Sequence, residues 1–234
     1  KRYAGTTALN PLTLEGDEGG VIDITAIDDV DTDGDQSDLH IKITGPASMT
    51  ISNITDGSIQ LVDVKTASVT GHAGKLTVGT GVETLTVVDG VEVVVSGASD
   101  LETASIDLKL DDDEDLTTAT TAYEGKSLDF TGLTDLETLT VTGDLLDLTI
   151  DGNDNLTTLV VNATMDDLKI DDSDDLTSVT VTGSKIHDIE VTENGDLTEL
   201  VLDHTTNLTS DAKTAPKAAS LNITNNAKLT SLTY

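Results

Sequence analysis

The residues of this chain that are best suited to bind a ligand form a short acidic run near its start. Carboxylates stand at every second position of this run, and Gly34 follows the third of them. Alternate carboxylates around a tight turn can wrap a hard cation, and calcium prefers such oxygen ligands. The candidate calcium ligands are Asp29, Asp31, Asp33, Asp35 and Asp38. The alternative that the sequence leaves open is a solvated acidic loop between two strands.

An EF-hand is excluded as the explanation of this acidic run. Counted from Asp29, the twelfth position of such a loop falls on His40, where an EF-hand needs a bidentate Glu. The flanking residues also lack the helical periodicity that an EF-hand requires. We therefore expect a calcium site of another type.

Further acidic clusters stand where turns are expected. They are residues 111–115, Asp151 with Asp154, and residues 171–175. The last two clusters are one repeat apart, so stacked coils would place their carboxylates above one another. Stacked carboxylates repel, which leaves two alternatives: cations bridge them, or they form a solvated acidic edge that opposes aggregation.

Constellations for catalysis are poor, and the sequence predicts that the protein is not an enzyme. The histidines at positions 40, 72, 187 and 204 share no spacing with a nucleophile motif, and there is no cysteine. Residues 71–75 resemble the end of a phosphate-binding loop, but Val69 and Leu76 replace the Gly and the Ser or Thr that it needs. A polysaccharide-cleaving β-helix would need basic and aromatic residues for its substrate, and Arg2 is the only arginine.

A repeat of about twenty residues supplies the elements that must position these groups. Each repeat holds two short runs in which apolar and polar residues alternate, with Gly, Asn and Asp between them. Such alternation predicts strands with one buried face. The steps begin at Leu136, Leu156, Leu176 and Leu197, with a fainter copy at Leu229. The sequence therefore predicts an all-β fold, a parallel β-solenoid (β-helix) with about 20 residues and two short strands per coil.

The repeat also suggests how the chain is organised. Residues 1–56 lack it, and we expect them to form a small β unit or cap that carries the acidic calcium-type loop. Residues 57–234 are expected to form the solenoid. Within it, residues 204–218 contain Pro216 and break the period, which predicts a protruding loop.

The net charge limits the partners of the protein. The 234 residues include 44 Asp or Glu and 12 Lys or Arg, which gives a formal charge of −32. Such a surface repels nucleic-acid phosphates and anionic lipid headgroups, so we expect no nucleic-acid partner. We also expect no membrane insertion, because no apolar run reaches the ~20 residues that span a bilayer. High charge with 2% aromatic residues is typical of disorder, but the alternating aliphatic runs predict an ordered protein.

Five Asn-x-Thr sequons could accept glycans if the source and the compartment allow it. They begin at Asn53, Asn155, Asn162, Asn207 and Asn222. In a repeat that is rich in Asn and Thr, several of them are expected by chance.

The repeated segments also point to a class of proteins. Residues 139–143 read Leu-Thr-Val-Thr-Gly, and residues 179–183 read Val-Thr-Val-Thr-Gly. Together with the leucine steps, they resemble the β-solenoid regions of bacterial surface-layer (S-layer) proteins and of large secreted RTX-type adhesins. The Gly-Gly-x-Gly-x-Asp nonapeptide of RTX calcium rolls is absent. The segment from Glu18 to Gly45 is similar to cadherin-like repeats of bacterial adhesins, in which an acidic loop binds calcium between modules.

These resemblances imply a structural, extracellular protein at the cell surface. We expect a subunit of a surface layer or an extracellular filament that self-assembles into a lattice or filament and is stabilised by calcium. Cell-surface polysaccharide is a further partner of the kind that such proteins contact. The alternative is an adhesin or fibre module that binds a glycan or a cell surface.

Overall fold

The protein is an all-β solenoid built from parallel strands. The structure is a computed structural model that describes residues 12–16, 20–25, 40–54, 57–72, 74–109, 126–183, 186–203 and 220–234. In these ranges every regular element is a β-strand, and every strand pairing is parallel. The predicted parallel β-solenoid with two strands per coil is confirmed. The chain divides into two compact units, Lys1–Leu101 and Glu102–Tyr234.

The first unit holds nine described strands in two parallel sheets. One sheet has the order β1-β3-β5-β7-β9, and the even-numbered strands β2, β4, β6 and β8 pair in sequence in the other. The strands are β1 (Leu12–Glu15), β2 (Val21–Thr25), β3 (His40–Thr44), β4 (Ser48–Ser52), β5 (Ser58–Val62), β6 (Thr66–Thr70), β7 (Lys75–Val78), β8 (Thr84–Gly90) and β9 (Glu92–Val94).

The coils of the first unit are shorter than the predicted repeat. Ser48, Thr66 and Thr84 are register partners on β4, β6 and β8, so each coil takes 18 residues there. A two-residue difference from the later repeat explains why the period is hard to see in this part of the sequence. The strands on either side of residue 56 are also register partners, since His40 pairs with Ser58. The predicted division of the chain into residues 1–56 and 57–234 stays a prediction.

The second unit carries the repeat that dominates the sequence. Its first sheet contains β10, β12, β14, β15, β17 and β19, and its second contains β11, β13, β14, β16 and β18. The strands are β10 (Thr103–Leu108), β11 (Leu128–Asp129), β12 (Thr138–Asp144), β13 (Asp147–Asp151), β14 (Thr158–Asp171), β15 (Ser178–Thr182), β16 (Ile186–Thr192), β17 (Glu199–Asp203), β18 (Ser220–Thr224) and β19 (Ser231–Thr233). The long strand β14 belongs to both sheets.

Coil length in the second unit follows the predicted repeat, with two longer coils. Thr138 of β12 pairs with Thr158, which pairs with Ser178, so these coils take 20 residues each. Thr103 pairs with Thr138, and Asp188 pairs with Ser220, which gives coils of 35 and 32 residues. The additional residues include the predicted 204–218 loop and the acidic residues 111–115, and they lie outside the described residues.

Aliphatic side chains from successive coils stack to form the core. Each strand alternates buried and exposed positions, as in β15, where the two valines point inward and Ser and Thr point outward. Leu139, Leu159, Val179 and Leu200 are register partners on four coils, and all are fully buried. Phe130 is the one buried aromatic residue of the described part of the chain. A narrow stacked core of this kind accounts for the low aromatic content.

A threonine ladder explains the threonine of the repeated Leu-Thr step. The hydroxyl of Thr177 donates to the carbonyl oxygen of Thr157 at 3.0 Å, one coil earlier. The hydroxyl of Thr198 donates in the same way to the carbonyl oxygen of Thr177 at 3.1 Å. The leucine before each of these threonines is fully buried. The sequence motif therefore combines one core residue with one hydrogen bond between coils.

A second ladder lies inside the turns that follow the second sheet of this unit. The equivalent positions are Asn153, Ser173, Asn194 and Asn226, and the first three are fully buried. The Asn194 amide donates to the carbonyl oxygens of Ile170 and Thr192, and its Oδ1 accepts from the Ser173 N–H. Because buried backbone groups need hydrogen-bond partners, these side chains hold the turns in place.

Candidate metal centre

The predicted calcium ligands and the carboxylates that the structure brings together are different residues. Asp29, Asp31, Asp33, Asp35 and Asp38 lie outside the described residues, between β2 and β3. Within the described part of the second unit, three other aspartates form a cluster that could hold a metal ion. They are Asp147, Asp166 and Asp167, and we call them the aspartate trio.

The trio has the geometry of a small cation site. Each aspartate offers one carboxylate oxygen, and these oxygens lie within 4.8 Å of one another. All three side chains are half-buried. Asp147 and Asp167 are register partners on β13 and β14, so their carboxylates project from adjacent strands ~4.8 Å apart. Like charges at paired positions repel, and a bound cation would relieve that repulsion.

The shape of β14 places two adjacent aspartates at this point. Residues 158–164 of β14 pair with β12, and residues 167–171 pair with β13. The strand therefore passes from one sheet to the other within its own length. Met165 points into the core, while both Asp166 and Asp167 remain half-buried beside it. The Asp166 N–H donates to the carbonyl oxygen of Leu146 at 2.7 Å, which ties this corner to the coil before it.

Neighbouring coils orient the carboxylates above and below the trio. The Ser127 hydroxyl donates to Oδ2 of Asp147 at 3.0 Å. Asp188, the register partner of Asp167 on the next coil, accepts from both the N–H and the hydroxyl of Ser220 at 2.8 Å. Carboxylate oxygens are the ligands that calcium prefers, but it takes six to eight of them. The trio could supply three, and water or backbone oxygens would have to supply the rest.

A second acidic stack carries its own cation. Asp151 and Asp171 are register partners, which confirms the expectation that these two clusters lie above one another. The Nζ of Lys169 lies 2.5 Å from Oδ2 of Asp151 and 3.2 Å from Oδ2 of Asp171. A lysine thus bridges this pair of carboxylates, where the sequence suggested either a bound cation or a solvated edge.

The lysine bridge shifts the proton equilibria of its members. The hydrogen bond to Asp151 raises the pKa of Lys169 above its ordinary value, and burial only partly opposes it. Burial by itself would raise the pKa of Asp171. Hydrogen bonds from Thr192 and Lys169, together with the lysine charge, outweigh burial and hold that pKa below its ordinary value. Both shifts favour the charged forms, so the bridge is intact at neutral pH.

The remnant of a phosphate-loop motif has a structural role. His72 is buried, and its Nδ1 lies 3.3 Å from the carbonyl oxygen of Ile54, one coil earlier. Lys75 forms an ion pair with Glu92 of the next coil at 2.9 Å. These contacts join successive coils of the first unit.

Sequence reasoning did not single out the aspartate trio. The signal was present, because Asp147 and Asp167 stand one repeat apart and Asp166 precedes the second of them. What the sequence lacks is the bend of β14, which brings Asp166 to the same side as its neighbours. In a regular strand, adjacent residues point to opposite faces.

Comparison with known proteins adds no relative to this description. No protein-family model, curated protein or solved structure matches the chain. Within the residues that the structure describes, no helix has the length and apolar character that crossing a membrane requires.

Proposed function

We propose that this protein is a structural, non-enzymatic subunit of a cell-surface layer or an extracellular filament. Its role is mechanical, because stacked parallel coils resist deformation through hydrogen bonds along the whole solenoid. Subunits assemble through contacts between copies, and calcium stabilises the acidic parts of the surface. The location is extracellular.

One observation carries this proposal: the side chains that recur from coil to coil in the second unit join one coil to the next. The threonine ladder joins each coil to the previous one, with Thr230 extending it to the carbonyl oxygen of Thr198. The asparagine ladder holds the turns. The Leu, Val and Ile positions build the stacked core. Such investment in coil-to-coil contacts suits a load-bearing element.

The calcium part of the proposal has two sources of support. The first is the alternate-carboxylate pattern of Asp29, Asp31, Asp33, Asp35 and Asp38. The second is the half-buried aspartate trio, whose carboxylates approach one another closely enough to share an ion. A net charge of −32 also makes any divalent cation a strong counterion for this surface.

Assembly of the full chain with and without calcium tests the proposal. Sedimentation velocity and light scattering would follow the mass in millimolar calcium and in excess EDTA, and electron microscopy would image the products. We expect the mass to rise with calcium and to fall again when EDTA is added. A monodisperse monomer in every calcium condition would contradict the proposal, and saturable binding of that monomer to a glycan would favour an adhesin.

Matched variants locate the calcium response. Asp31→Asn with Asp33→Asn alters the acidic run, and Asp147→Asn alters the trio. Asp154→Asn is the control, because it removes the same charge from an exposed turn position. The group whose variant loses the response holds the ion. If neither variant differs from the control, calcium has no specific role in the assembly.

A further inference from the structure

Uncharged hydroxyl side chains cover one outward sheet face in each unit. In the first unit, every outward position of β4 and β6 and the first two of β8 is Ser or Thr, and Val88 completes the block. In the second unit, the outward positions of β12, residues 158–162 of β14 and β15 follow the same pattern. There only Val160 and Asn162 depart from Ser or Thr. We call these two blocks the hydroxyl faces.

The other sheet of each unit carries charge on its outward face. In the second unit, its outward positions include Asp147, Asp151, Asp167, Lys169, Asp171, Asp188 and Glu190. In the first unit, they include Lys42, Lys75 and Glu92. The chain has 44 acidic residues, yet neither hydroxyl face contains one. Charge is therefore segregated between the two sides of the solenoid.

Register turns each hydroxyl face into an ordered array. Thr140 pairs with Val160, and Val160 pairs with Thr180, so the central column continues straight across three coils. Neighbouring hydroxyls stand ~4.8 Å apart across the strands and ~6.7 Å apart along them. Thr142 and Thr182 use their hydroxyls within the unit, on Asp107 and on the carbonyl oxygen of Val161. The hydroxyls of Thr140 and Thr180 make no hydrogen bond to another described residue of the unit.

A second copy of this chain is the occupant that fits these faces. Two copies with a charge of −32 repel strongly, and most approaches would bring carboxylates together and strip them of water. The hydroxyl faces avoid both costs. A hydroxyl also donates and accepts, so a Ser/Thr array is complementary to itself, whereas a carboxylate array is not. Self-complementary surfaces are what a twofold contact between identical chains requires.

We propose that the hydroxyl faces are the surfaces through which copies of this protein associate side by side. This inference rests on the proposed structural function and names the contact that would build the assembly. Three strands of five residues cover on the order of 200 Å². A stable pair of proteins buries about 800 Å² on each partner, so one face makes a weak contact. Two faces on each chain allow weak contacts to add up within a lattice or bundle.

Charged substitutions at the centre of one face test the proposal. Thr140→Glu with Thr180→Glu places carboxylates in the central column, and Thr149→Glu adds one to the outward face of β13 on the opposite sheet. Far-UV circular dichroism checks folding, and sedimentation velocity follows association with and without calcium. We expect the concentration needed for association to rise at least about tenfold for the double variant and to stay unchanged for the control.

Cysteine cross-linking keeps the test valid if the charged variants misfold. The chain contains no cysteine, so Thr180→Cys or Thr149→Cys introduces a single thiol. Mild oxidation of the associated protein should yield covalent dimers for Thr180→Cys and at most a background level for Thr149→Cys. Equal yields from both would overturn the proposal.

The outcomes separate this inference from the function on which it rests. If the wild type assembles and the Thr140→Glu, Thr180→Glu variant assembles equally well, the hydroxyl faces are not the contact and the structural function stands. If the wild type remains a monomer at every concentration and calcium level, both fail. A monomer that is retained on an uncharged polysaccharide, and loses this retention in the double variant, would assign the face to a glycan and overturn association between copies.

Discussion

Two asparagines of one turn have opposite environments, which makes them a sharp test of the ladder. Asn153 is fully buried, and its amide donates to the carbonyl oxygens of Phe130 at 2.7 Å and Leu133 at 3.1 Å. Its Oδ1 accepts from the N–H of Asp151 at 3.0 Å. Asn155 is exposed. The same substitution at the two positions therefore changes one buried network and one solvated side chain.

The expected loss follows from the groups that Asn153→Ala leaves without partners. Three backbone groups lose their hydrogen bonds, and each such loss costs about 1 kcal/mol in a buried place. Asn153→Ala should therefore lower the free energy of unfolding by about 3 kcal/mol, or more than a hundredfold in the unfolding equilibrium. Asn155→Ala should change it by less than about 0.5 kcal/mol. Asn153→Ser should fall between them, because Ser173 occupies the equivalent position one coil later.

Urea unfolding followed by far-UV circular dichroism measures these differences. The curves of all three variants should be compared for midpoint and slope, because stacked repeats can unfold in more than one step. A shift for Asn153→Ala that lies within about 0.5 kcal/mol of the shift for Asn155→Ala would refute the argument that the ladder stabilises the turns.

Three further variants test other parts of the second unit. Lys169→Met should cost about 0.5–1 kcal/mol between the ordinary pKa values of 3.8 and 10.5 for Asp and Lys. The cost should shrink as pH falls through the lowered pKa of Asp171 or rises through the raised pKa of Lys169, and a cost independent of pH in urea titrations would contradict the bridge. Gly143→Ala should cost more than about 3 kcal/mol, since a Cβ there would meet a backbone carbonyl of the preceding coil at a φ of +99°. Gly152→Asp should be nearly neutral in thermal unfolding, because its Cβ meets open space and the next coil has Asp at this position; equal losses at the two glycines would be inconsistent with this. Calcium at a hundredfold excess over its dissociation constant should add about 2.7 kcal/mol of stability, and Asp147→Asn should reduce that gain if the trio holds the ion, whereas an unchanged gain would place calcium elsewhere.

Much of the fold could be predicted from sequence because its rules are local. Alternation of aliphatic and polar residues defines each strand and its buried face, and β15 follows it at every position. The 20-residue step of the second unit equals one coil, as Thr138 and Thr158 show. The 18-residue coils of the first unit were less visible, because the predicted period was taken from the later repeats.

The candidate site was much harder to predict. An acidic run with alternate carboxylates indicates a cation site from sequence alone, and it drew attention to residues 29–38. The trio depends on which side chains share a side after β14 bends, and Asp166 and Asp167 would diverge in a straight strand. The stack of Asp151 and Asp171 was foreseen, but the lysine between them was not. Lys169 is a neighbour of neither carboxylate in a linear reading of the repeat.

The sequence by itself determined that this protein is a solenoid of parallel strands with an aliphatic core, because the period and the alternation of side chains are properties of the chain. Only the tertiary structure decided which outward side chains meet. Stacking coils in register converts positions that are about twenty residues apart into columns ~4.8 Å apart. That conversion separates the hydroxyl faces from the charged sheets and brings the aspartate trio together, since contacts across coils depend on register and strand bending rather than on sequence distance.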